Sequence, residues 1–145
     1  MTDNPHLIPV RAEFNVFADD MLLAGQVDML FYDTNEKEFR ITDWKRSKKM
    51  EFVAFGNRCG KPPFDKLPDT NFGHYACQQT VYALILEEYY GVHVQKLTLL
   101  QLHPNYDSSV EHVVPDIRKE VRMMFEDRKA EVRAMKKRKA DENVN

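Results

Sequence analysis

Three acids, Glu13, Asp28 and Asp43, stand fifteen residues apart, and Lys45 follows the last of them by two. If three strands fold as a meander, this spacing brings the carboxylates together. A first hairpin whose paired residues sum to 41 sets Glu13 opposite Asp28, and a second summing to 71 sets Asp28 opposite Asp43. Opposed residues share a face, neighbouring strands lie about 4.8 Å apart, and side chains return every second residue, so Lys45 joins Asp43 there. Like charges directly opposed destabilise a sheet, a conflict that a divalent cation would resolve. Oxygen ligands without Cys or His favour Mg²⁺ or Mn²⁺ over zinc. The other reading is a set of strands exposed on one side whose acids face water. The tripeptide Asp43-Trp44-Lys45 and the residues around it tip the balance toward a site.

The elements that must position these groups are legible. Val10–Phe17, Leu22–Tyr32 and Phe39–Lys45 are rich in β-branched, aromatic and aliphatic residues, and polar turns separate them at Asp19-Asp20 and Asp33-Thr34-Asn35-Glu36. Arg46–Asn71, with its glycines and prolines, reads as a long irregular excursion of the kind that is more often functional than neutral. His74–Tyr90 reads as a helix stopped at Gly91, with His74, Gln78 and Tyr82 on one face and Tyr75 and Gln79 turned elsewhere. Val94–His103 has two largely apolar faces, as a buried strand does, and Ser109–Val114 makes a shorter edge strand. Pro115 and Asp116 open a last helix whose stripe of Ile117, Val121, Met124, Phe125, Arg128 and Val132 is read as core packing. The expected fold is α/β: a mixed central β-sheet that opens with an antiparallel meander and is flanked by helices.

Gly25-Gln26-Val27-Asp28 matches the pattern GxxD, Asp43-Trp44-Lys45 matches (D/E)xK, and Gln78-Gln79-Thr80-Val81-Tyr82 matches QxxxY. In that order the chain resembles the PD-(D/E)XK nuclease superfamily in its RecB-like exonuclease branch. It is also similar to uncharacterised members from large DNA viruses and protists. The resemblance spans about residues 10 to 103 and implies a restriction-endonuclease-like core and a Mg²⁺-dependent nuclease, with Mn²⁺ as a substitute. It further implies that Asp28 and Asp43 ligate the metal, together with the Trp44 backbone carbonyl and, directly or through water, Glu13. Lys45 would orient the attacking water or stabilise developing charge, while Gln78 and Tyr82 would position substrate or brace the ligands. Many members carry a further active-site Glu or His on a helix before the first strand, whereas nine residues precede Val10 here. Either Glu13 serves alone as the upstream acid or a preceding region is missing from this chain. The expected substrate is DNA, single- or double-stranded; the competing expectation is a non-catalytic nucleic-acid-binding or assembly module that keeps the nuclease fold.

A chain of 145 residues with 43% hydrophobic content holds one modest core, expected over residues 1–135, with a basic then polar tail at 136–145. No run approaches the roughly 18 apolar residues of a membrane span, and residues 1–9 do not read as a signal peptide, so a soluble intracellular protein is expected. Cys59 and Cys77 lack metal or disulfide spacing and read as reduced thiols. The formal charge of −2 does not advertise a polyanion binder, but its distribution is uneven. Arg46, Lys48 and Lys49 extend from Lys45 as a basic run suited to phosphate contacts, although loop lysines are commonly just solvated. Lys136-Lys137-Arg138-Lys139 resembles a nuclear localisation signal; the other reading is a solvated helix C-terminus that complements the macrodipole.

Overall fold

A computed structural model describes residues 4–144, so residues 1–3 of the polar opening and residue 145 of the tail lie outside the described residues. Strands β1 (Leu7–Ala18), β2 (Leu23–Asp33) and β3 (Glu38–Arg46) form the meander. Its register is the one the acids' spacing requires: Ala12 pairs with Met29 and Phe14 with Val27, sums of 41, while Met29 pairs with Thr42 and Leu30 with Ile41, sums of 71. The β2–β3 turn is fixed by its first residue. Asp33 Oδ1 accepts the backbone N–H groups of Asn35 at 3.0 Å and Glu36 at 3.1 Å, an Asx turn that closes the hairpin in one register.

After β3 the chain crosses over through helix α1 (Asn71–Tyr90) and returns as β4 (Val94–Leu102), parallel to β3. The short strand β5 (Val110–Val113) pairs antiparallel with β4, giving one five-stranded mixed sheet in the order β1-β2-β3-β4-β5. Helix α1 begins three residues earlier than its sequence suggests, because the Thr70 hydroxyl caps it by accepting from the Gly73 N–H at 3.0 Å. It ends as expected at Gly91, whose φ of 68° is the left-handed conformation glycine takes without strain.

Helix α1 packs on β1 through β4, and the last helix, α2 (Arg118–Val144), packs on α1. Val16, Met21, Val27, Ile41, Leu84, Ile85, Leu99, Val121 and Phe125 are buried together between sheet and helices. The tail is helical: α2 continues through Lys136–Lys139, which is exposed beyond the last buried residue, Val132. Cys59 and Cys77 are free thiols. Among the described residues no helix is long and apolar enough to cross a membrane.

The segment between β3 and α1 is irregular, as expected, yet organised. Met50 and Ala54 are buried, a single 3₁₀ turn spans Phe55–Asn57, and Cys59 bridges to Pro68.

Candidate active site

The β2–β3 ladder ends at Met29 and Thr42, one step before the acids. There a side chain replaces the ladder: Asp28 Oδ2 accepts the Trp44 backbone N–H at 3.0 Å. The substitution holds β2 against β3 while setting the Asp28 carboxylate beside that of Asp43. Asp43 is only 4% exposed, and its Oδ2 is buried without a hydrogen-bond partner. The Lys45 Nζ is 2.7 Å from that oxygen, an ion pair lying outside hydrogen-bonding angles. Burial pushes the Asp43 carboxyl above the ordinary carboxylate range; the Lys45 ammonium opposes that rise and the neighbouring Asp28 adds to it.

Helix α1 closes the site from above. Gln78 Oε1 accepts from Lys45 Nζ at 3.4 Å, and Gln78 Nε2 donates to the Tyr82 hydroxyl at 2.9 Å. The Tyr82 ring lies against β2 at Gly25, where a Cβ would fall 2.2 Å from ring carbon Cε1. The three sequence patterns therefore interlock physically: Gly25 makes room for Tyr82, Tyr82 fixes Gln78, and Gln78 holds Lys45 beside Asp43.

Two expected members stand apart. Glu13 is exposed, and its φ of 45° is a left-handed conformation that interrupts the pleat of β1. The expectation that it would share a face with Asp28 required a regular strand, and among the described residues no three His, Cys, Asp or Glu side chains are grouped to hold a metal. His74 turns away to Asp69, at 2.8 Å, and is 70% exposed. It lines a hollow of about 500 Å³ between residues 60–69, α1 and α2, away from the acids. Tyr75 takes the expected place of His74: Lys45 Nζ sits 4.4 Å from its ring centroid. Tyr75, Gln78 and Tyr82 are spaced i, i+3, i+7, which returns closer to one helix face than i, i+4, i+8 does.

Trp44 is half-buried on the other side of the sheet, beside Phe31, Thr42 and Leu100, as its alternation with Asp43 and Lys45 requires. Arg46 borders a hollow with His103 and Tyr106, while Lys48 and Lys49 extend into solvent and Lys49 meets Glu51 at 3.5 Å. The sequence gives less warning of Gln101. It neighbours Lys45 in the parallel register, donates to the Ser47 carbonyl at 2.9 Å and meets His112 Nε2 at 2.9 Å. The available signal is one amide on the inward alternation Leu97, Leu99, Gln101 of an otherwise apolar strand, where a buried polar group needs a reason.

The chain matches no protein-family model and no curated protein.

Proposed function

We propose that this chain is a metal-dependent nuclease of the PD-(D/E)XK type, hydrolysing phosphodiester bonds of DNA. The observation that carries this reading is the buried Asp43 carboxylate set beside a second carboxylate, Asp28, with the Lys45 amine 2.7 Å from its Oδ2. Two carboxylates held together out of water repel, and a single ammonium offsets only one of them, so the pair costs free energy unless a further cation engages it. The donors suit Mg²⁺, which binds through one or two carboxylates and keeps several waters. Asp28 and Asp43 would hold the ion, and the Trp44 carbonyl is a further donor at the same step of β3. When bound, a cation there lowers the pKa of water and neutralises charge on the phosphoryl oxygens.

The remaining roles belong to the protein. Lys45, restrained by Gln78 and stacked on Tyr75, presents an ammonium to the attacking water or to the phosphoryl oxygen on which charge develops. Gln78 and Tyr82 hold that amine in place. The charge pattern supports a polyanionic substrate. Residues 45–66 carry seven cations (Lys45, Arg46, Lys48, Lys49, Arg58, Lys61, Lys66) against two acids (Glu51, Asp65), in a chain whose formal charge is −2. An intracellular setting goes with such a substrate.

The exposed position of Glu13 favours a second reading, a nucleic-acid-binding or assembly module that keeps the fold without catalysis. Degradation of end-labelled single-stranded DNA, duplex DNA and RNA, with Mg²⁺ or Mn²⁺ and with EDTA, separates the two. The nuclease reading expects metal-dependent cleavage that Asp43→Ala abolishes. Absence of cleavage of all three substrates with either metal, by folded wild-type protein, would overturn it in favour of the second reading.

A further inference from the structure

The segment that leads away from Lys45 is built to project an aromatic side chain. Its base is clamped to the first turn of α1: Asn71 Oδ1 accepts the Glu51 N–H at 2.9 Å, and Asn71 Nδ2 donates to the Lys49 carbonyl at 3.0 Å. The Phe52 ring packs 4.7 Å from Phe72 and 5.4 Å from His112. Buried Ala54 accepts the Asn57 N–H at 3.1 Å, and Gly56 and Asn57 take left-handed φ of 65° and 52°, the conformation those two residue types best tolerate. Beyond this anchored base, Phe55 is 91% exposed and Val53 75% exposed. Hydrophobic side chains held in water by a fixed backbone call for an occupant.

We propose that Phe55 is a stacking platform for unpaired bases, a seat for a single nucleic-acid strand leading to the Asp28–Asp43–Lys45 site. The proposal rests on the nuclease reading of that site and specifies its substrate as single-stranded. Position and charge carry it. The segment starts at Lys45 itself, and its base is clamped at Asn71 and Phe72, about one helical turn from Tyr75, whose ring is under Lys45, so the loop that carries Phe55 is rooted beside the site. Flanking Phe55 in sequence, Lys48, Lys49, Arg58 and Lys61 are exposed, with Lys49 3.5 Å from Glu51. Lysines are depleted in the cores of protein–protein interfaces, whereas cations alternating with an aromatic platform are how single strands are held. In a duplex the base faces already cover one another everywhere but at the two ends, so the platform favours unpaired strand.

The test uses EDTA to stop hydrolysis and follows a dodecathymidylate strand. Phe55→Ala is expected to weaken its binding about tenfold while leaving the salt dependence unchanged. In Phe55→Trp the strand is expected to quench the added indole's emission, a decrease that the parent protein, whose one indole is Trp44 on the other side of the sheet, does not show. A blunt duplex or an abasic strand of the same length is expected to quench little. Binding unchanged in Phe55→Ala, or quenching equal for abasic and base-bearing strands, would overturn the platform. Cleavage of the same strand by wild-type protein with Mg²⁺ is scored separately. Quenching without cleavage keeps the platform and removes the nuclease, and cleavage without base-dependent quenching does the reverse.

Discussion

Two carboxylates on the meander, Asp33 at the turn and Asp43 near the far end of β3, are about equally buried, at 1% and 4% exposure, and have opposite surroundings. Asp33 is fully partnered: two backbone N–H groups, the Arg40 guanidinium at 3.3 Å and His6 at 3.7 Å. Burial pushes its pKa up, but those hydrogen bonds and charges outweigh it and leave the carboxyl below the ordinary range. Asp43 has a second carboxylate beside it and one ammonium, Lys45 at 2.7 Å, to answer both, and burial leaves its carboxyl raised. A carboxylate whose charge is answered from within serves the fold; one crowded against a second carboxylate is poised for a cation that arrives from outside.

The sharpest way to break this contrast is to neutralise each acid in turn. Asp43→Asn should lower Mg²⁺-dependent cleavage by more than about 100-fold while leaving the melting temperature equal or higher, since it removes repulsion with Asp28. Asp33→Asn should do the opposite, keeping cleavage within a few-fold and lowering the melting temperature, since buried Arg40 then keeps only Glu111, at 3.7 Å, as a charge partner. If Asp33→Asn abolishes cleavage in folded protein and Asp43→Asn does not, the roles have been assigned the wrong way round.

Lys45→Ala sharpens the comparison from the other side, because the amine belongs to water and phosphate rather than to the cation. It should cost turnover and still bind Mn²⁺; loss of the calorimetric Mn²⁺ titration with the fold intact would make Lys45 a structural partner of Asp43. Gly25→Ala should reduce both stability and activity by displacing Tyr82, and Tyr82→Leu should restore part of the stability without the activity. Simple additivity of the two changes in melting temperature would deny that they touch.

Smaller effects come from the loop and from acid. Replacing Lys48 and Lys49 with Ala should flatten the salt dependence of DNA binding by up to about two units of slope; a wild-type slope would mean that the loop faces only solvent. Asp33 has a depressed folded pKa, so its contribution to stability is present above the unfolded value of about 3.9 and is lost as pH falls through the folded one. The melting temperatures of wild type and Asp33→Asn should therefore converge below about pH 3.9, and a gap that stays constant to lower pH would locate the contribution elsewhere.

The meander's register could be read from the sequence because turn chemistry at Asp33 sets one hairpin and the apolar alternation sets both. The core stripe of α2 at Val121, Phe125 and Val132 was legible for the same reason, regular period. What escaped was irregular. Glu13 adopts a left-handed φ that its residue type does not announce, so the expected third carboxylate was placed by a pleat that the strand breaks. The pattern i, i+4, i+8 points to His74 rather than Tyr75 because it looks like a single face, although it drifts by about 80° over eight residues at 3.6 per turn. The start of α1 depended on Thr70, an N-cap whose role is plain only once the Gly73 N–H is seen to meet it.

The connection between β3 and β4 has a consequence for the order in which the site is assembled. Asp28, Asp43 and Lys45 lie on strands joined by tight turns, whereas Gln78, Tyr82 and Gln101 arrive only after the long crossover has closed. Pairings of short sequence separation form before those that must close a long loop. During refolding, the two acids should therefore face each other in a bare hairpin before the helix that holds Lys45 in place has docked. Pulsed hydrogen exchange should register protection of the β2–β3 amides ahead of those of β4, and metal present during that interval would act as a folding ligand before it acts in chemistry.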